Sequence, residues 1–173
     1  MTELGDLFGE ALALPDVVPL PAITAMRDRL VRRGYTRYAL LDRGSYDIVP
    51  DVAEPVLFET LGSLARETLG FTLTVTAARA IRLGPGDYLL AHHDRPHADR
   101  SFELVLELSP RPVAGAELHY RRRGQVYFRF PCVPGSLAIV ERTPAVTSNH
   151  TYVSKRDATT SVVRLVVQAE RAR

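Results

Sequence analysis

From Phe71 onward the apolar residues of this chain recur at every second position, and that period limits what it can fold into. Phe71, Leu73 and Val75 alternate with threonines, Ile81 and Leu83 flank Arg82, and Phe102, Leu104, Leu106 and Leu108 form one row against Glu103 and Glu107 in the other. Gly115, Gly124 and Gly135 stand where turns between strands are needed. This succession predicts a mainly β core of about eight short strands, closed as a double-stranded β-helix, the cupin-like jelly roll.

Before Phe71 the period is different. Ile23, Met26, Leu30 and Val31 fall at helical spacing and predict a helix over 22–33, with Gly34 as its C-terminal cap. Asp51, with Glu54 three residues on, has the form of a capping box, and Leu57, Leu61, Leu64 and Ala65 predict a second helix that Gly70 ends. Between them residues 35–41 are expected as a strand and 42–50 as a loop. Residues 1–21, broken by Pro15, Pro19 and Pro21, are expected as a short helix followed by an extended segment. The expectation is one α+β domain over 1–173, with mostly helical support in 1–70 and the jelly-roll core in 71–170.

Composition excludes several functions. A hydrophobic content of 46% in 173 residues can fill one core. With 22 basic against 20 acidic residues, there is no electrostatic case for a nucleic acid or a membrane surface. The strands also lack an exposed row of aromatics on which bases could stack. A single cysteine, Cys132, and the lack of any long apolar run lead us to expect a soluble, cytoplasmic protein. The sequence carries no sign of its oligomeric state.

The chemistry centres on residues 83–94, Leu-Gly-Pro-Gly-Asp-Tyr-Leu-Leu-Ala-His-His-Asp. They read as a turn, a short strand and a His-x-Asp pair. Strict alternation puts His92 and Asp94 on one face, with Tyr88 and Leu90 behind them in the same row. An imidazole and a carboxylate held this way need one more histidine to form the two-histidine, one-carboxylate set that binds Fe(II) and leaves coordination positions open. His150 opens a strand after the loop 143–148 and can stand beside the strand of His92, although a histidine between Asn149 and Thr151 is also an ordinary hydrogen-bonding residue. His97 and Asp99 form a second His-x-Asp, but they follow Arg95 and Pro96 in a polar loop, a less rigid support. His93 is out of phase with His92, and His119 lies within a strand. Arg164 interrupts the apolar run Val162 to Val167, and a guanidinium there needs a carboxylate. A bound dicarboxylate could supply it, or a residue such as Glu103 or Glu107.

Five segments, 83–94, 99–108, 114–118, 134–140 and 150–167, follow one another in the order found in the 2-oxoglutarate and Fe(II)-dependent oxygenases. Together they resemble the prolyl 4-hydroxylase-like branch of that family. The resemblance implies Fe(II) held by His92, Asp94 and His150. It implies 2-oxoglutarate with its distal carboxylate on Arg164, helped by Thr160 or Ser161, together with O2, and ascorbate as a candidate reductant. Relatives often carry tyrosine where Leu83 stands; Tyr88 can take over that contact, or simply pack its ring. Arg164 comes later after His150 than the family's basic residue usually does, which leaves Lys155 and Arg156 as alternatives. Ala114 replaces the first glycine of a usual pair.

The activity implied is hydroxylation of an unactivated C–H of a small molecule, an amino acid or a peptidyl residue, with release of succinate and CO2. Arg95, Arg100 and Arg142 are candidate contacts for an anionic substrate, or else solvated surface. The competing expectation is a cupin-like module that holds a metal or a sugar and oxidises nothing. An Arg164 turned out of the barrel would favour that module.

Overall fold

The computed structural model describes residues 11–92 and 101–172, which form 11 strands and two helices. In chain order these are β1 (Ala11–Leu14), α1 (Leu20–Arg33), β2 (Thr36–Leu40), β3 (Gly44–Val49), α2 (Pro55–Leu69), β4 (Leu73–Leu83), β5 (Tyr88–His92), β6 (Ser101–Glu107), β7 (Val113–Arg122), β8 (Gln125–Cys132), β9 (Leu137–Arg142), β10 (Val146–His150) and β11 (Val162–Arg171). The strands hydrogen-bond in the order β1-β9-β6-β11-β4-β3-β5-β10-β7-β8, with β2 added on β3. Every pairing is antiparallel.

The period of two sorts the core into two compartments. Val163, Leu165, Val167 and Ala169 of β11 join Leu104 and Leu106 of β6 under Ile23, Met26 and Leu30 of α1 and Leu61 and Ala65 of α2. The alternate residues, Val162 and Val166, pack with Ile81, Leu83, Val105, Leu118, Tyr120 and Phe130 inside the barrel. The expected double-stranded β-helix is therefore present, with the helices on the outer face of the larger sheet. In β6 both rows are covered. Glu103 and Glu107, whose row reads as a solvent face in the sequence, are buried inside the barrel on either side of Val105.

Three elements before Phe71 differ from expectation. Residues 44–49 form a strand, because β3 pairs with β2, β4 and β5 at once and so links the two halves of the barrel along one side. A Cβ on Gly44, where φ is +114°, would lie 2.0 Å from the Tyr88 carbonyl oxygen, so only glycine allows the two backbones to approach this closely. The capping box is not formed. Helix α2 starts at Pro55, Asp51 has a φ of 50°, and Glu54 accepts hydrogen bonds from Arg29 Nε (2.9 Å) and NH2 (3.0 Å) instead of capping the helix. Pro21 lies in the first turn of α1, where its missing N–H costs nothing. Residues 11–14, expected within the N-terminal helix and extended segment, pair as β1 with β9, and the earlier part of that segment lies outside the described residues. Among the described residues no helix is long and apolar enough to cross a membrane.

Candidate metal and co-substrate site

Strand β10 runs between β5 and β7 and brings His150 to β5. Its register partners on β5 are Leu89 for His150 and His92 for Ser148, so β5 carries one residue more than β10 over this stretch. Such a bulge exchanges the two faces of a strand. It places His92 opposite Ser148, in the register row of β10 that also contains His150, and both of these β10 residues are buried. Leu89 is buried whereas Leu90 is 47% exposed, and Tyr88 is half-buried with its ring 6.5 Å from that of Tyr152. Asp94, Arg95 and Arg100, together with the second pair His97 and Asp99, lie outside the described residues.

Arg164 enters from β11 and is inside the barrel, 1% exposed. Its NH1 lies 2.9 Å from Nδ1 of His150, its Nε donates to Glu107 Oε2 at 2.8 Å, and its NH2 donates to the Ala116 carbonyl at 2.7 Å. A guanidinium can only donate, so Nδ1 accepts. In the neutral ring Nε2 then carries the proton, which a metal ion at that nitrogen would displace. The other Glu107 oxygen accepts from the Ser109 N–H (3.2 Å) and hydroxyl (2.5 Å), and the Ser109 oxygen in turn accepts from the Val163 N–H at 2.9 Å. Burial, and next to it the Glu107 charge, push the neighbouring Cys132 thiol up to about 11.

A second buried pair lies further along β6. Glu103 accepts from the Tyr120 hydroxyl at 2.6 Å and from Arg142 NH1 at 2.8 Å. Burial first, and then the Glu103 charge, hold the Tyr120 hydroxyl well above its ordinary pKa. Arg142, the last residue of β9, is thus not solvated surface. It is buried and also donates to the Val146 carbonyl, because a carboxylate inside a barrel requires a cation beside it.

The remaining candidates are spread out. Lys155 and Arg156 are exposed, whereas Thr160 is buried and its N–H donates to the Asp157 carbonyl at 3.1 Å. Of the three basic residues considered for the co-substrate, Arg164 alone is inside. His119 pairs with Glu117 through Nε2 at 2.6 Å, away from His150. Ser109 and the Ala116 carbonyl were not anticipated. The only sequence hint of them is a hydroxyl two residues after a glutamate on an apolar strand. Among the described residues no group of three or more His, Cys, Asp or Glu gathers to hold a metal. The described part of the set fits one nonetheless, since His150 is a buried imidazole on a rigid strand and His92 is two register positions away.

No family model matches the sequence, and no curated protein matches it. Solved structures do. The viral collagen prolyl hydroxylase of Paramecium bursaria chlorella virus 1, a 2-oxoglutarate complex, superposes with a TM-score of 0.69 at 12% identity over 98% of this chain and 100% of that one. A prolyl 4-hydroxylase of Pseudomonas putida gives 0.67 at 15% over 98% and 97%, and an oxidoreductase of the 2OG-Fe(II) oxygenase family from Burkholderia pseudomallei gives 0.71 at 14% over 96% and 87%. The fold is that of the 2-oxoglutarate and Fe(II)-dependent oxygenases. Because these matches span nearly the whole chain, the oxygenase fold takes in the two helices and the β2–β3 hairpin as well as the barrel.

Proposed function

We propose that the protein is a non-haem Fe(II) and 2-oxoglutarate-dependent dioxygenase. His92, Asp94 and His150 would hold the iron, and Arg164, helped by Thr160, would hold the distal carboxylate of the co-substrate. The observation that carries this reading is the contact between a buried imidazole and a buried guanidinium, His150 and Arg164, inside a barrel of the oxygenase fold. An Arg164 turned out of the barrel would have favoured a module that only stores a metal or a sugar, and Arg164 lies inside.

Fe(II), 2-oxoglutarate and O2 would supply oxidation of a substrate C–H, with succinate and CO2 as by-products. The chain's part is to orient and to keep water out. Arg164 turns the His150 ring so that Nε2 lies on the side away from the guanidinium, β10 holds it between two strands, and Val105, Val146 and Val162 wall the interior. The substrate class that fits is a small molecule, an amino acid or a peptidyl residue. The last is in keeping with the relatives described as prolyl hydroxylases. We place the protein in a reducing compartment such as the cytoplasm, in keeping with its single, buried cysteine.

The test is metal titration of the apo protein. It should bind about one Fe(II) per chain, and His150→Ala or Asp94→Ala should abolish tight binding. Anaerobic addition of 2-oxoglutarate should then give the visible charge-transfer band of a ferrous 2-oxo acid chelate. Unchanged iron affinity in both folded variants would reject this ligand set and direct attention to His97 and Asp99. Bound iron without a band would reject the co-substrate.

A further inference from the structure

The dioxygenase reading gives Arg164 a carboxylate to hold, yet Arg164 already holds one. Glu107 Oε2 sits 2.8 Å from its Nε, and the two side chains are 0% and 1% exposed. Glu107 is also fixed from behind. Its other oxygen takes both Ser109 donors, and Ser109 is held in turn by the Val163 N–H, so the carboxylate cannot swing away without leaving buried donors unsatisfied.

The charges in this part of the barrel therefore already balance. Arg164 contributes one positive charge and Glu107 one negative, while the Cys132 thiol stays protonated because burial and Glu107 push it up to about 11. The other interior cation among the described residues, Arg142, is paired with Glu103, and Lys155 and Arg156 are exposed. A dicarboxylate whose distal end reached Arg164 would place two carboxylates on one buried guanidinium. Like charges sharing such a site repel strongly, and the charge of an iron at His150 would already be met by Asp94 and by the 2-oxo acid end of the same ligand.

We propose that Glu107 sets the co-substrate preference of this site. It holds the Nε of Arg164 while His150 Nδ1 and the Ala116 carbonyl take NH1 and NH2, and so removes most of the advantage that 2-oxoglutarate would have over a 2-oxo acid of the same length ending in a methyl group. The inference rests on the dioxygenase reading. It names a specificity-determining residue that acts on the anchor through a built-in carboxylate.

The experiment uses the full chain loaded anaerobically with Fe(II), titrated with 2-oxoglutarate and with 2-oxopentanoate while the charge-transfer band is followed. In the wild type the two affinities should lie within about tenfold of each other. Glu107→Gln keeps the size and an acceptor for Arg164 Nε but removes the charge. It should tighten 2-oxoglutarate by about tenfold or more and leave 2-oxopentanoate unchanged. A second readout needs no iron: glutarate should raise the thermal midpoint of metal-free Glu107→Gln and not that of the wild type. A wild-type preference for 2-oxoglutarate above about a hundredfold overturns the proposal whether or not the variant folds. So does a folded Gln variant in which 2-oxoglutarate binds no better. A band with neither acid on iron-loaded wild type rejects the dioxygenase reading, and this inference with it. Bands with both acids and a strong preference reject the inference alone.

Discussion

Asp87 sits in the turn between β4 and β5, and replacing it by asparagine tests what holds the β2–β3 hairpin on the barrel. Its carboxylate is buried and accepts from Arg37 NH1 (2.7 Å) and NH2 (2.5 Å), from the Ser45 hydroxyl (2.6 Å) and from the Gly84 N–H (2.9 Å). Asparagine has the same size but one acceptor oxygen, and its amide N–H groups would face donors. The Arg37 side chain is 51% exposed, so its ion pair counts as a surface one worth about 0–1 kcal/mol. The Ser45 and Gly84 bonds are shielded and charge-assisted at about 1.5–3 kcal/mol each, of which a neutral oxygen keeps a part. The expected loss is about 2–3 kcal/mol at neutral pH, read by urea denaturation.

The pH dependence has a definite sign. Burial alone would raise the Asp87 pKa, but the Arg37, Ser45 and Gly84 hydrogen bonds outweigh it, and the pKa is lowered. A carboxylate with a folded pKa below its unfolded value of about 3.9 stabilises fully above that value and loses the contribution as pH falls through the folded pKa. The gap between wild type and Asp87→Asn should therefore be widest at neutral pH and shrink below about pH 4. A gap under about 0.5 kcal/mol at neutral pH, or one that stays the same in acid, would refute this account of the turn.

Two further outcomes follow from single positions. Gly44→Ala would push a methyl into the Tyr88 carbonyl at a φ of +114°, so it should destabilise by about 3 kcal/mol or more and speed amide exchange in β3 ahead of β9. The Cys132 thiol, buried and held up to about 11, should resist iodoacetamide at mildly alkaline pH in the native protein and react once the chain is unfolded in urea.

The strands of the barrel were legible where one period ran uninterrupted, as in β6 and β11. Strand β3 was not, because Gly44-Ser45-Tyr46-Asp47 reads as a polar loop. Asp47 belongs in a strand because Arg82 and Arg37 from two other strands meet it at 2.8 and 3.3 Å. The bulge in β5 was also hidden, since it consists of one extra residue relative to a partner strand far away in sequence. Arg164 announced itself as a charge in an apolar run. Its partner was legible only as one of two glutamates, because Glu103 and Glu107 alternate with leucines as a solvent face would. The packing of Val105, between them, with the interior cluster shows that their row is the inner one.

The strand order governs when the barrel can exist. β11 lies between β6 and β4, pairing Val162 with Leu83 on one side and Glu170 with Ser101 on the other. A ribosome therefore finishes β4 to β10 before the strand that joins two of them has emerged. Until then the inner row of β6 faces water, and Glu107 and His150 wait for a guanidinium not yet made. Contacts this distant in sequence make for slow closure, and the edges of β4 and β6 stay open to other chains in the meantime. Expression at lower temperature should raise the yield of folded protein by giving β11 time to arrive before those edges find other partners.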